Sequence, residues 1–372
     1  MIGKRTTRVS HLHAICPISA ISLIFAFFGV TAPVAAGANP QWQQIAAAGP
    51  SARGEFGFAF DSARNVSVLF GGSNNLNFNG VNSQTWEWNG TAWNNPSNAG
   101  PSSRCDQAMA FDSARGVVVS FGGFRGTYLA DTWEWNGATW TNRLVTGPEP
   151  RADSFMVYDS QRGVMVLFGG LSSSGAVLGD TWEWNGTDWS VRTVSGPPAR
   201  WIQRMAYDSA RGVTVMFGGA GPSDVRGDTW EWDGTTWTQR NPTTSPPARY
   251  GQAMAFNVER GVTELFGGQT GFAFGAGVLG DTWQWDGNDW TQVPIAGPAP
   301  RSFTKMVYDS NRHRSVLFGG YNGTQFVGDT WELVVPEPTG AAGMVVLVCT
   351  AVGRMRCRRV WLTRRKDITH CL

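Results

Sequence analysis

The sequence predicts an all-β fold built from six similar repeats. Three observations carry this. Phe-Gly-Gly recurs at Phe70, Phe121, Phe168, Phe217, Phe266 and Phe318, at intervals of 51, 47, 49, 49 and 52 residues. Each is followed by Thr-Trp, with the tryptophan at Trp86, Trp133, Trp182, Trp230, Trp283 and Trp331. Five of these six continue as T-W-[EQ]-W-[ND]-G-x-x-W. A repeat this long is one supersecondary unit that cannot bury its faces alone and must stack on its neighbours. The composition agrees: 12% aromatic and 16% charged residues exclude a disordered polymer, and the 47 glycines lack the every-third-residue period of collagen.

One unit reads strand by strand. Residues 249–256 supply a first strand, and a tight turn of the form Asp-Ser-x-Arg-Gly follows, as in Asp112 to Gly116. The second strand, Val117 to Phe121, is almost wholly apolar, which suits a sheet covered on both faces. Gly122-Gly123 ends it. The third strand puts Trp133 and Trp135 on one face and Glu134 on the other. Asn136-Gly137 is a hairpin turn, and Trp140 opens the fourth strand. Helical content inside the repeats is expected to be negligible.

This pattern over residues 41 to 334 resembles the kelch repeat, whose unit is one four-stranded blade of a β-propeller. The resemblance implies a six-bladed kelch-type propeller. Its closure is also legible. The last repeat stops at Thr330-Trp331-Glu332-Leu333, and the missing outer strand stands at the other end of the chain, in Gln41-Trp42-Gln43-Gln44. The N-terminal strand around Trp42 should therefore complete the sixth blade. Of the 19 tryptophans, 17 occupy repeat positions, which marks them as core packing; only Trp201 and Trp361 fall outside.

Both ends read as targeting segments. Lys4, Arg5 and Arg8 precede an apolar run from Ala14 to Val30, and small residues follow in Val34-Ala35-Ala36-Gly37-Ala38. This is the order of a secretory signal peptide, with cleavage after Ala36 or Ala38. At the other end, Val335-Pro336-Glu337-Pro338-Thr339 precedes an apolar stretch, Ala341 to Gly353, and then Arg354, Arg356, Arg358 and Arg359. It resembles the PEP-CTERM sorting signal of exported bacterial proteins. That likeness implies a sorting enzyme as partner, a short transmembrane helix as the only membrane contact, and a destination in the cell envelope, cell surface or extracellular matrix. The expected organisation is a signal peptide over 1–36, the propeller over 37–335, the sorting signal over 336–359 and a basic cytoplasmic tail over 360–372.

The chemistry inventory excludes much. Cys16, Cys349, Cys357 and Cys371 lie in the end segments, which leaves Cys105 alone in the propeller, without a disulfide partner. His11, His13 and His370 likewise lie outside it, leaving His313. The best-known enzyme with kelch-type blades, a copper radical oxidase acting on galactose, needs two histidines, two tyrosines and a cysteine. One histidine cannot supply that chemistry, nor a zinc site or a Ser-His-Asp triad. No cofactor, metal or phosphate-binding loop is expected. The three Asn-Gly-Thr triplets, at Asn89, Asn185 and Asn322, are explained by hairpin turns. The whole chain carries a net charge of +2, but residues 1–36 hold three basic and no acidic side chains and 337–372 hold seven basic and two acidic ones. The body between is acidic, which argues against nucleic acid as a partner.

Function is expected on the variable loops. The turns Asp-Ser-x-Arg-Gly and Asn-Gly hardly differ between repeats, whereas the loops after Gly-Gly span 7 to 12 residues. They carry Asn74, Asn75, Phe78, Phe124, Arg125, Tyr128, Asp224, Arg226, Phe272, Phe274, Tyr321 and Phe326. The first strands line the channel. Their opening arginines, Arg53, Arg104, Arg151, Arg200, Arg249 and Arg301, recur in every blade and read as structural, pairing with a recurring carboxylate. Two residues later stand Glu55, Asp106, Asp153, Ile202, Gly251 and Phe303, with Arg204 and Lys305 two residues further along their strands. The preferred reading is a non-catalytic binding or interaction scaffold for protein or extracellular polysaccharide. Its ligand-binding candidates are Glu55, Asp106, Asp153, Arg204, Lys305, Phe124, Arg125, Tyr128, Phe272, Phe274 and Tyr321. The alternative is a carbohydrate-active enzyme, a mutarotase or lyase, using the channel carboxylates.

Overall fold

The computed structural model describes residues 40–335, apart from 46, 78–79, 97–98 and 273–274. The expected export signal, the sorting residues Pro336, Glu337, Pro338, Arg354 and Arg356, and the loop residues Phe78 and Phe274 lie outside these. Among the described residues there is no α-helix, and none that is long and apolar enough to cross a membrane.

Six antiparallel sheets form the blades of a propeller. Blade 2 is representative: Ala108–Asp112, Val117–Phe121, Thr132–Trp135 and Trp140–Arg143 pair in sequence order from hub to rim. The inner strands of blades 1 to 6 begin at Gly57, Ala108, Phe155, Arg204, Ala253 and Lys305. Each touches the next, and the first touches the last, so the ring is closed. In blade 6 the outer strand is Gln41–Ile45, paired antiparallel to Thr330–Val334 with Trp42 opposite Leu333. The expected closure by the N-terminal strand is therefore present.

The tryptophans show how the blades lock. Each outer-strand tryptophan packs on the phenylalanine of Phe-Gly-Gly in the preceding blade, as Trp140 does on Phe70 at 5.0 Å between ring centroids. Its indole N–H donates to the Thr-Trp threonine of that same blade, Trp140 Nε1 to Thr85 Oγ1 at 2.9 Å. The seam repeats this bond on both sides: Trp42 donates to Thr282 at 3.0 Å, and Trp93 donates to Thr330 at 2.9 Å. The N-terminal strand thus occupies a regular blade position.

The Phe-Gly-Gly pair brings neighbouring backbones together. Gly72, at φ 92°, donates its N–H to the carbonyl of Arg104 in the next blade at 2.9 Å, and Gly123, Gly170, Gly219, Gly268 and Gly320 do the same. A side chain on Gly71, at φ 72°, would collide with that carbonyl. The recurring arginines are 0 to 1% exposed, and five of them pair with the aspartate before Thr-Trp: Asp131, Asp180, Asp228, Asp281 and Asp329. In blade 1, Gln84 takes the aspartate's place as acceptor for Arg53. Those aspartates also accept the indole N–H two residues on, as Asp131 does from Trp133 at 2.7 Å. The Asp-Ser-x-Arg-Gly turn is held the same way, Arg115 bridging Asp112 at 2.7 Å and Glu134 at 2.5 Å.

One expectation is corrected. The first strand does not run unbroken through 249–256; it starts at Ala253, because Gly251 turns the backbone into the left-handed region before it. The equivalent residue does so in every blade.

Candidate functional site

Six backbone hydrogen bonds encircle the hub. Glu55 N–H donates to the carbonyl of Phe303, Asp106 to Glu55, Asp153 to Asp106, Ile202 to Asp153, Gly251 to Ile202 and Phe303 to Gly251, at 2.7 to 3.3 Å. All six residues hold φ between 51° and 67°, and only one is glycine. A left-handed backbone costs an ordinary residue roughly 1–2 kcal/mol and a β-branched one such as Ile202 more. The closed ring of bonds holds it there. Its consequence is that five side chains and one glycine are presented at one level of the channel.

Three of these side chains are acids from consecutive blades. Glu55 and Asp106 are each 7% exposed. Asp106 stands in hydrogen-bond contact with both Glu55 and Asp153, and Cys105 donates its thiol to Asp106 Oδ2 at 3.0 Å. Burial, then the neighbouring carboxyls, pushes Glu55 and Asp106 up to about 8 and raises Asp153 well above the carboxylate range. The cause is general: charge is costly without water, and adjacent carboxylates repel. The cluster therefore holds protons at neutral pH. Donor atoms of Glu55, Cys105 and Asp106 all lie within 4.8 Å of one another. A cation there would need the Cys105 thiolate, which burial and the adjacent acids oppose.

The cations Arg204 and Lys305 lie apart from this cluster, both against the ring of Phe155. Burial lowers Arg204 to about 10; burial, then the charge of Arg204, lowers Lys305 to about 7.

Above the acids, at the variable-loop mouth, is a cavity of about 300 Å³. Glu55, Asp106 and Asp153 line one side; Ile202 and Phe303 line the other. Its walls are Phe124, Tyr128, Trp201, Tyr250 and Phe272, with Phe124 and Tyr128 edge to face at 5.1 Å and Tyr250 stacked on Phe272 at 5.9 Å. A second cavity, of about 450 Å³, opens at the opposite mouth and is lined by the inner strands and their turns.

Six of the expected site residues thus converge on the upper cavity: Glu55, Asp106, Asp153, Phe124, Tyr128 and Phe272. Arg204 and Lys305 do not line it. Arg125 points to solvent, and Tyr321 is buried against Phe326 at 5.3 Å within a cluster that includes Ile202, Tyr250 and Phe303. Asp224 and Arg226 pair with each other at 3.4 Å. The residues missed were Trp201 and Tyr250, which directly follow the opening arginines. A signal existed for the first: Trp201 is the one propeller tryptophan outside the repeat pattern.

The kelch-repeats domain model described as KLHDC2/KLHL20/DRC7 matches residues 134–320. No curated protein matches the chain in sequence. Among solved structures, one titled "Structure of YjhT" is similar with a TM-score of 0.59 at 14% identity, covering 76% of this chain and 94% of that one. At that identity the likeness is one of fold. With the blade topology, the repeat motifs and the domain match in agreement, the chain belongs to the kelch-repeat family.

Proposed function

We propose that this chain is an exported, surface-sorted binding module that takes its ligand at the variable-loop mouth of the propeller without chemically altering it. The observation that carries the reading is the cavity of about 300 Å³ walled by five aromatic side chains and edged by three carboxyls. Aromatic faces with a few convergent polar groups suit a sugar ring: the faces pack on its C–H surfaces and the carboxyls accept from its hydroxyls. An extracellular polysaccharide is thus the ligand class favoured here, ahead of a protein surface. Purified protein screened against glycans and polysaccharides should bind, and Phe272→Ala should weaken that binding about tenfold. Binding that is confined to proteins, or insensitive to Phe272, overturns the assignment.

A second reading rests on the acids. A carboxyl pushed up to about 8, as Glu55 and Asp106 are, still carries its proton at neutral pH, which is what a general acid needs. A carbohydrate-active enzyme, a mutarotase or lyase, could use this triad. Glycan turnover that vanishes in Glu55→Gln/Asp106→Asn/Asp153→Asn favours the enzyme; binding with no turnover in the unaltered protein favours the module.

A further inference from the structure

Four residues beyond each opening arginine the blades carry Gly57, Ala108, Phe155, Arg204, Ala253 and Lys305. Blades 3 and 6 stand opposite in a six-bladed ring, so Lys305 Nζ, 5.4 Å from the Phe155 ring centroid, reaches it across the channel. Arg204 Cζ lies 5.3 Å from the same centroid. The two cations are 5% and 8% exposed. Among the described residues, neither has a carboxylate within 4.0 Å. Arg204 Nη1 donates to the Gln203 carbonyl at 3.2 Å, but its buried Nε has no partner, and the Lys305 ammonium makes no hydrogen bond among the described residues. The charge that most affects Lys305 is that of Arg204, ahead of Asp106, Asp153 and Glu55.

Buried cations are normally paired, and an unpaired donor taken out of water is costly. Here two like charges converge on one aromatic face with donor hydrogens left over. We infer that the channel between Arg204, Lys305 and Phe155 binds a small monovalent anion of halide size. The ligand is an anion because the groups converging on this point are donors. It is monovalent because Glu55, Asp106 and Asp153 stand within Coulomb range of both cations, and whatever charge they release opposes a second negative charge on the ligand. It is small because the acid tier stands to one side and Phe155 to the other, and neither cation lines either mouth cavity. The site is separate from the sugar-binding reading and survives its failure.

The test uses the full chain in sodium gluconate, titrated with sodium chloride or bromide at constant ionic strength and pH 6.5. The thermal midpoint should rise by about 2–4 °C and saturate, as a ligand bound only by the folded state requires. Crystals soaked in bromide should show an anomalous peak beside Arg204 Nε and Lys305 Nζ. In Arg204→Met and Lys305→Met the difference between halide and gluconate should vanish, whatever the starting midpoint of each variant. Glu55→Gln/Asp106→Asn should keep the difference or enlarge it. The difference should shrink from pH 6 to pH 8.5, because Lys305 and the acids Glu55 and Asp106 lose protons on that side. Equal midpoints in halide and gluconate, or a bromide map with only water at the two cations, overturns the site.

Discussion

Blades 1 to 3 place Glu55, Asp106 and Asp153 at the hub, whereas blades 4 to 6 place Ile202, Gly251 and Phe303 there, on backbones that share left-handed φ and one ring of hydrogen bonds. The contrast separates two jobs within one repeat. The backbone ring, the buried arginines and the rim tryptophans are the same in both halves, so they build the scaffold. The hub side chains are free to differ, because the ring is held by main-chain groups and does not depend on what they carry. The acidic half gives the cavity its polar edge, and the apolar half joins Tyr250 and Tyr321 in a core cluster.

The comparison can be broken at the scaffold first, where the largest effects are expected. Trp42→Ala removes an aromatic core residue from the seam and should cost about 3–5 kcal/mol in denaturant unfolding, the range for truncating a buried aromatic. A loss below 1 kcal/mol would mean that the N-terminal strand is a minor part of blade 6. Next, Arg104→Met in the acidic half and Arg249→Met in the apolar half should cost the same, about 3 kcal/mol each. Each leaves an aspartate and two backbone carbonyls without their donor. A clear inequality would show that the hub chemistry reaches into the scaffold.

The third prediction concerns pH and belongs to the acidic half alone. Glu55 and Asp106 hold their protons to about 8 in the folded chain, whereas the unfolded chain releases them near 4 to 4.5. Over that window the folded state binds more protons, so these groups make stability fall as pH rises. Lys305, lowered to about 7, acts oppositely between pH 7 and 10.5, which leaves pH 5 to 7 as the clean window. In aspartates such as Asp131 and Asp281 burial acts upward but the hydrogen bonds and charge of Arg104 and Arg249 outweigh it and hold them below the usual carboxylate value, so they stay ionised throughout it. Urea melts between pH 5 and 7 should show the decline in the unaltered protein and a flatter profile in Glu55→Gln/Asp106→Asn/Asp153→Asn. An unchanged slope would remove the triad as its cause. The smallest effect is assigned to Arg125→Ala, within about 0.5 kcal/mol in stability and with ligand binding unchanged, because this side chain is exposed outside the cavity. A binding loss there would redraw the site.

Much of this was legible without coordinates. The six Phe-Gly-Gly and Thr-Trp motifs report the blades because each occupies a position where neighbouring blades meet: glycine against an arginine carbonyl, threonine against an indole N–H. The missing outer strand was legible because a repeat truncated at Leu333 needs a partner. The acid cluster was also visible, as three acids at one repeat position. What escaped was the left-handed turn at that position. Five of its six residues are not glycine, so no residue type announced it. The placement of Arg125 and Tyr321 outside the cavity was not legible for a related reason: lying on a variable loop does not determine which way a side chain points.

The sequence by itself determined the repeat unit, the blade count, the closing strand and the structural role of the arginines and tryptophans. All of these follow from local periodicity and from pairing rules that act the same way in every repeat. Only the tertiary structure decided which side chains share a space. It joined Trp201 and Tyr250 to the acids above the ring, and it carried Lys305 across the channel to Phe155 and Arg204. These partners are separated by whole blades along the chain. Their meeting depends on the closure of the ring, a global constraint that no window of sequence contains.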